Sequence, residues 1–251
     1  MARDANDTIS YLGFAYGPDD LDINLPEPDK DRVVFRVHKL FPEFVWDTTA
    51  LEGNPFTFPE VKTLLEGVTV GGHRIEDEVQ VLNQAKSWKR LVGMVRDGTF
   101  SVDRETFCTL NGIVAREEAL EWGTFRKCEV GIAGTDFKPP VHQKLDSLFE
   151  RGAAIINGIS NAVEQGMVFY LFGALNQFFY DGNKRTSRLM MNGVLLMNGY
   201  DAISVPARRR VEYNEKMIRF YDTLEGTEMM SFLLDCSTFR PSSPTSTRSQ
   251  G

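Results

Sequence analysis

The feature of this sequence that most restricts its fold is a pair of apolar segments joined by a short polar turn. Residues 162–178 and 184–198 both predict helices, and Gly199 is well placed to end the second. The turn between them, residues 180–183, contains an Asp-Gly-Asn sequence typical of a tight loop. The longest apolar stretch, residues 189–197, is too short for a membrane span and is interrupted by polar residues. The pair therefore favours a helical protein outside the membrane.

Helical signals extend along most of the remaining chain. We expect helices near residues 31–41, 48–53, 57–65, 77–96, 103–119, 141–158 and 208–235. Pro42 predicts an end or a kink of the first helix, and Thr57 with Glu60 predicts a capping box. Between Trp122 and Pro140, two extended pieces flank a Gly-rich turn, which predicts a small β-hairpin. The fold class is therefore mainly α with one hairpin.

Composition divides the chain into four regions. Residues 1–30, rich in Gly, Pro and Asp, predict an irregular N-terminal arm, and residues 31–100 predict an N-terminal helical region. Residues 101–237 hold the hairpin and the polar turn and form the predicted core domain. Residues 238–251 are rich in Ser, Thr and Pro and are expected to be disordered.

Charge and cysteine content exclude several classes of protein. The formal net charge is −7 and the pI is about 5.1, so nucleic acid is not an expected partner. Cys108, Cys128 and Cys236 are scattered and indicate neither a disulfide framework nor a thiolate metal site. The polar N-terminus lacks the apolar core of a signal peptide, so we expect a cytoplasmic protein without a membrane partner.

The polar turn is the segment most suited to chemistry. It opens onto a helix whose first residues are cationic, and a helix N-terminus next to Gly182 favours an anion. Asp181 is placed to hold Mg²⁺ against phosphates, because this ion prefers oxygen ligands. Arg185 and Arg188 share one helix face and are spaced to clamp an oligophosphate. The alternative is an ordinary turn that caps a helix carrying two solvated arginines.

Residues 177–188 resemble the Fic family motif, His-x-Phe-x-Asp/Glu-Gly-Asn-Gly/Lys-Arg-x-x-Arg. The positions that match the motif are Phe179, Asp181, Gly182, Asn183, Arg185 and Arg188. Further segments similar to the family are residues 51–54, 123–140 and 213–214. The likeness covers roughly residues 47–236 and outweighs the reading as an ordinary turn.

The resemblance implies a Fic-type helical bundle that transfers AMP from ATP to a Ser, Thr or Tyr hydroxyl of a target protein. It implies Gln177, Asp181, Asn183 and Arg185 at the catalytic positions, with Asp181 as the Mg²⁺ ligand. It implies a nucleotide site of Phe179, Gly182, Asn183, Lys184, Arg185, Arg188, Tyr213 and Asn214. It also implies a hairpin flap, with Val130, Gly131, Ile132, Ala133 and Gly134, that pairs with the target protein as an added strand. Some relatives form dimers, and the sequence leaves a homodimer open.

Two positions depart from the family pattern. The family has a His general base where this chain has Gln177, and a carboxamide cannot act as a base near neutral pH. Of the three histidines in the chain, only His142, which follows the flap, is a candidate for a substitute base. Lys184 stands where AMP-transferring members usually have Gly, and members similar to the toxin Doc, which transfers phosphate, have Lys.

Residues 48–54 resemble the family's inhibitory motif, Ser/Thr-x-x-x-Glu-Gly/Asn. In the family, that Glu pairs with the second arginine of the motif, so the resemblance implies that Glu52 pairs with Arg188 and displaces the γ-phosphate of ATP. Three hypotheses follow. The chain is a self-inhibited AMP transferase impaired by Gln177, a non-catalytic ATP- or partner-binding relative, or a Doc-like phosphotransferase that uses Lys184.

Overall fold

Helices form most of the chain in the computed structural model, which describes residues 11–237 and residue 239. They are α1 (Lys30–Lys39), α2 (Phe41–Leu51), α3 (Phe58–Leu65), α4 (Ile75–Arg96), α5 (Arg104–Val114), α6 (Leu145–Asn157), α7 (Ala162–Asn176), α8 (Asn183–Met197), α9 (Arg210–Thr223) and α10 (Thr227–Asp235). Three short 3₁₀ turns occur at Pro18–Asp20, His142–Lys144 and Ala207–Arg209. The mainly helical class is therefore confirmed. Within the described residues, no helix is long and apolar enough to span a membrane.

Helices α7 and α8 form the centre of the structure. Nearly every residue of both helices is buried, although α8 carries Asn183, Arg185, Arg188 and Asn192. A helix that is apolar on all faces has to be enclosed by other elements. Helices α5 and α6 pack on this pair together with α4. The predicted helices 162–178 and 184–198 correspond to α7 and α8, and the polar turn between them is thereby held at the core.

The predictions for helix ends were right where a side chain caps the backbone. Thr57 and Glu60 form the predicted capping box at the start of α3. The predicted first helix ends at Lys39, just before Pro42, and Pro42 lies in the first turn of α2, where its missing N–H is not needed. The predicted helix 48–53 is the last part of α2. The predicted helix 208–235 is broken after Thr223, because Leu224 has a left-handed backbone with φ of 56°.

The predicted β-hairpin is not confirmed. In the described residues 122–141, the chain is extended or turned and contains no strand. The side chain of Arg126 is buried and binds backbone carbonyls of this segment, which in a hairpin would accept hydrogen bonds from the partner strand instead. Its guanidinium donates to the carbonyls of Gln177, Cys128 and Pro140. Prolines 139 and 140 have no N–H to give to a partner strand. The guanidinium of Arg126 instead links two carbonyls of this segment to each other and to the carbonyl of Gln177.

The N-terminal region described here packs against the core. Leu12 and Phe14 are completely buried, and Ala15 forms an isolated parallel bridge with Glu225. This contact gives residues 11–15 a fixed position beside α9 and α10. The prediction of disorder for 238–251 concerns residues that lie, apart from Phe239, outside the described part of the chain.

Tight packing of α6 on α7 makes Gly152 a sensitive position. A Cβ added there would lie 2.3 Å from the ring of Phe172, which is itself enclosed by other aromatic rings. We expect Gly152→Ala to lower the free energy of unfolding by about 1–3 kcal/mol, because the ring has no room to move.

Urea unfolding of the purified variants checks this expectation. Gly93→Ala is the matched control, since Gly93 lies inside α4 and a Cβ there would meet nothing within 4 Å. We expect the control to raise stability by about 0.5–1 kcal/mol through helix propensity. Equal effects of the two substitutions would contradict the packing argument.

Candidate functional site

The loop between α7 and α8 is shaped by Gln177 and Asn183. Gln177 ends α7 in a left-handed conformation with φ of 48°, which is unusual for a residue other than glycine. Asn183 closes the loop, because its side chain accepts from the N–H of Phe179 and donates to the carbonyl of the same residue. Its amide also donates to Oε1 of Gln177 at 3.0 Å. The loop therefore has a single, hydrogen-bonded shape.

Aromatic packing fixes this loop to the core. Phe178 and Phe179 are completely buried, and their rings contact those of Phe107 and Phe125. Two adjacent buried rings prevent the loop from shifting along α8. Phe179 thus lies in the core beneath the loop.

Gly182 and Asn111 bring the start of α8 against α5. Gly182 has φ of 75°, and a Cβ there would lie 3.0 Å from Val114 and 3.2 Å from the amide of Asn111. The amide of Asn111, fully buried, donates to the carbonyl of Asp181 at 3.0 Å, and its oxygen accepts from the N–H of Gly123. The sequence analysis missed Asn111, because no local pattern marks a buried amide on a neighbouring helix.

A cleft of about 520 Å³ opens over this loop. The predicted site residues that line it are Glu52, Gly131, Ile132, Ala133, Gln177, Asp181, Gly182, Asn183, Lys184, Arg185 and Asn214. The remaining lining residues are Tyr180, Met217, Ile218 and Tyr221, of which the last three come from α9. The loop, residues 131–133, Glu52 and α9 thus meet at one cavity.

Other predicted residues lie behind or beside the cleft. Tyr213 is fully buried, and its hydroxyl accepts from Arg188 at 2.6 Å and bonds with Tyr170 at 2.7 Å. Arg188 is also buried and, like Val130 and Gly134, is not among the lining residues. His142 is away from the lining as well, and its ring bonds with Glu129 at 2.8 Å. Nothing in this arrangement makes His142 a base for the cleft.

Glu52 lies between two cations at the edge of the cleft. One carboxylate oxygen is 2.9 Å from Nη2 of Arg188, and the other is 3.0 Å from Nζ of Lys184. The exposed fraction of the Glu52 side chain is 16%, and that of Arg188 is 6%. Both oxygens of the carboxylate are therefore engaged in a largely buried ion-pair network.

These contacts control the ionisation of Glu52. Burial alone would raise its pKa, but the charges of Lys184, Arg188 and Arg185 outweigh burial and lower the pKa from 4.5 to about 2. Reciprocally, the carboxylate of Glu52 overcomes the effect of burial on Lys184 and raises the pKa of its ammonium group. The network is thus fully charged at neutral pH.

Arg185 has its own carboxylate, which the sequence analysis did not identify. Its Nη1 lies 2.9 Å from Oε2 of Glu118, in the segment after α5, and 3.4 Å from the carbonyl of Val114. Its Nη2 lies 3.4 Å from Oδ1 of Asp181. Each arginine of the motif is therefore paired with one glutamate from outside the motif.

The donors around the cleft suit a divalent cation that arrives with a phosphate ligand. Among the described residues, no group of three or more His, Cys, Asp or Glu side chains is arranged to hold a metal ion. Asp181 offers one carboxylate that is 54% exposed beside the cleft. Mg²⁺ usually takes only one or two protein carboxylates and completes its coordination with phosphates and water.

The chain is similar in sequence to known proteins. The profile of the Fic/DOC family matches residues 101–195, which include α7, α8 and the loop between them. Among curated proteins, the protein adenylyltransferase Fic of Drosophila ananassae is 23% identical over 203 residues, which is 78% of this chain and 40% of that protein. The Drosophila mojavensis protein of the same name is 23% identical over 201 residues, 78% of this chain and 39% of that protein. The chain therefore spans about 40% of the length of the curated relatives it matches.

Solved structures share the fold. A Fic domain containing signaling protein from Bacteroides thetaiotaomicron superposes with a TM-score of 0.66 at 20% identity, over 91% of this chain and 87% of that chain. Fic-1 from C. elegans, residues 134–508, superposes with a TM-score of 0.66 at 17% identity, over 82% of this chain and 68% of that chain. At these identities the likeness shows the fold alone.

The lowered pKa of Glu52 predicts an acid-sensitive contribution to stability. A group whose pKa is lower in the folded state stabilises the protein above its ordinary pKa, and this contribution is lost as pH falls toward the folded value. We therefore expect the unchanged chain to have a higher free energy of unfolding than Glu52→Gln at neutral pH. The difference should be about 3 kcal/mol for a pKa lowered from 4.5 to about 2, and it should decline as pH falls between those values.

Free energies of unfolding, measured from pH 2 to 7 for the two proteins, check this expectation. Glu66→Gln is the matched control, because Glu66 is an exposed glutamate at the same C-terminal position of α3 as Glu52 is of α2. The control is expected to follow the curve of the unchanged chain. A pH-independent difference for Glu52→Gln would contradict the assigned network.

Proposed function

Because this chain is a Fic family protein, we propose that it transfers AMP from ATP to a Ser, Thr or Tyr hydroxyl of a target protein. We further propose that Glu52 holds the enzyme in an inhibited state and that Gln177 lowers its rate of transfer. The curated relatives named above carry the name adenylyltransferase, which supports the type of reaction. The observation that carries the proposal is the cleft that the motif loop, Lys184, Arg185 and the flap segment line together.

The start of α8 supplies the groups for the phosphates. Main-chain N–H groups at the N-terminus of a helix attract anions, and Gly182 lets a ligand approach them closely. Arg185 adds a guanidinium at the cleft, and Arg188 adds a second one when Glu52 is displaced. Asp181 would hold Mg²⁺, which neutralises phosphate charge when it is bound with ATP.

Glu52 opposes this binding by electrostatics. Its carboxylate takes the ammonium of Lys184 and the guanidinium of Arg188, both cations that would otherwise orient the phosphates of ATP. A phosphate placed nearby meets a buried negative charge in place of two free cations. We infer that the form of the enzyme described here binds ATP in a poor geometry for transfer until Glu52 moves away.

Gln177 occupies the position at which the family has its general base. Its amide group donates to the carbonyl of Ala174 at 2.6 Å, and its oxygen accepts from Asn183. Both polar ends of the side chain are thus used to hold the loop. Proton transfer to a positioned base contributes about 10²- to 10⁴-fold to a rate, so transfer through Gln177 is expected to be slow by that factor.

The flap segment provides a plausible docking edge for the target protein. Gly131, Ile132 and Ala133 line the cleft, and they belong to a segment in which no strand is assigned. An extended main chain with free hydrogen-bonding groups accepts a partner segment as an added strand, largely independently of its sequence. Docking there places a hydroxyl of the target beside the loop.

Lys184 favours a second candidate function, phosphate transfer of the Doc type. Its ammonium lies in the cleft and pairs with Glu52, so a cation is present where AMP-transferring members usually have Gly. A third candidate, ATP binding without transfer, is favoured by the engagement of Gln177 within the loop. The three differ in which phosphate of ATP reaches protein.

Labelling with radioactive ATP separates these candidates. We expect α-³²P to enter protein weakly or not at all with the unchanged chain, more with Glu52→Gly, and most with the double variant Glu52→Gly, Gln177→His. Restoring the imidazole base in the Glu52→Gly protein is expected to raise labelling by about 10²- to 10⁴-fold. The assay uses Mg²⁺ and either the chain itself or a cell extract as acceptor.

The controls make the outcome decisive. Glu66→Gly removes an equivalent exposed helix-end glutamate and should behave as the unchanged chain. Label from γ-³²P-ATP without label from α-³²P-ATP would replace AMP transfer by phosphate transfer. Absence of label with the double variant, combined with measurable ATP binding, would leave the non-catalytic reading.

A further inference from the structure

Arg185 is held by a nearly buried carboxylate, Glu118, which is not among the residues that line the cleft. The exposed fraction of the Arg185 side chain is 4%, and that of Glu118 is 11%. Both oxygens of Glu118 lie near the same nitrogen, Nη1, at 2.9 and 3.1 Å, and the carbonyl of Val114 lies 3.4 Å from it. Nη1 thus has three acceptors for its two protons.

The other terminal nitrogen of Arg185 is much less engaged. Its one hydrogen-bond partner among the described residues is Asp181, whose Oδ1 is 3.4 Å away. Asp181 and Arg185 both line the cleft. The guanidinium is therefore anchored through Nη1 and directs Nη2 to the side where Asp181 lies, so Nη2 is the end available to a ligand.

Glu118 is in turn fixed by a chain of side-chain amides. Gln80 on α4 donates its Nε2 to Oε2 of Glu118 at 3.0 Å, and its oxygen accepts from Asn54 at 3.0 Å. Asn54 also donates to the carbonyl of Asp77 at 2.9 Å. A carboxylate only accepts hydrogen bonds, so Glu118 makes the amide of Gln80 present its nitrogen to it. The oxygen of Gln80 then faces Asn54, which has to present its own nitrogen.

This chain of contacts ends at the segment that carries Glu52. Asn54 follows Glu52 by two residues, and Glu52 pairs directly with Arg188. Both arginines of α8 are consequently tied to residues 52–54, one directly and the other through Gln80 and Glu118.

We propose that Glu118 is a positioning residue for the phosphate-binding arginine Arg185. It acts through Arg185 and not on the nucleotide. The charge of Glu118 holds Nη1 of Arg185 and leaves Nη2 for the phosphates beyond the α-phosphate. Gln80 and Asn54 in turn orient the carboxylate of Glu118. The consequence for nucleotides rests on the proposed function, whereas the positioning of Arg185 does not. Without Glu118, the buried guanidinium loses its nearest counter-charge and its fixed direction.

The test compares Glu118→Gln with Glu117→Gln in the full chain. The first substitution keeps the size of the side chain and removes its charge. The second removes the same charge from the adjacent residue, which is 64% exposed and lies 3.6 Å from Arg116. Both are made in the unchanged chain and in Glu52→Gly, so that ATP binding can be measured with the inhibitory carboxylate absent.

Two readouts are needed. Calorimetry measures the affinities of ATP and AMP, because AMP lacks the phosphates that Arg185 is expected to hold. Glu118→Gln should weaken ATP binding by about tenfold, because the ion pair that fixes the Arg185 guanidinium becomes a hydrogen bond to a neutral amide, and leave AMP binding unchanged. Nitrogen-15 NMR of the assigned Arg185 guanidinium, without nucleotide, should show separate Nη signals in the unchanged chain and in Glu117→Gln, and averaged signals in Glu118→Gln.

The outcomes separate this inference from the proposed function. Unchanged Arg185 signals in Glu118→Gln would overturn the positioning role, and so would equal losses of ATP and AMP affinity. Failure of every variant to bind a nucleotide would refute the proposed function, and the NMR comparison would still decide whether Glu118 positions Arg185. Circular dichroism of each variant verifies that the helical fold is retained.

Discussion

A guanidinium buried in the centre of a helical domain requires a counter-charge, and Arg188 obtains it from Glu52. Arg188 lies on α8, which is enclosed on nearly all sides, and Glu52 comes from the end of α2, more than a hundred residues earlier in the chain. Removing one partner of such a pair leaves an uncompensated charge, at a cost of about 3–5 kcal/mol. The pair therefore holds the N-terminal helices to the core at the place where the cleft forms.

The same principle applies to Arg185, and the two pairs together define the electrostatics of the cleft. Glu52 and Glu118 neutralise the two arginines from different sides, and Lys184 adds a cation whose partner is again Glu52. In the function that we propose, phosphates of ATP compete for Arg188 and Lys184 by displacing Glu52, whereas Arg185 keeps Glu118 and offers its other end. The inhibition that we propose and the positioning that we infer are thus two uses of one arrangement, a carboxylate against an arginine.

Much of this site could be predicted from the sequence because it is local. The motif residues 177–188 are close in the chain, so their spacing alone indicates a turn, a helix start and two arginines on one face. The capping box at Thr57 and Glu60 was predictable for the same reason. Glu118, Asn111 and Gln80 were not, because their roles depend on which helices pack together. The predicted hairpin is not confirmed, and no strand pattern reveals that Arg126 binds backbone carbonyls there.

In the function that we propose, Lys184 affects both the phosphate site and the inhibition by Glu52. While Glu52 is in place, the ammonium of Lys184 is paired with its carboxylate. As a second cation beside that carboxylate, it strengthens the inhibited state that we propose. Once Glu52 leaves, the same ammonium is free in the cleft and adds positive charge to the phosphate site. A glycine at this position would do neither. If the proposed inhibition holds, a lysine here makes the inhibited form more stable and the released form more attractive to phosphate, so displacement of Glu52 changes the charge of the cleft more than it would with Gly at this position.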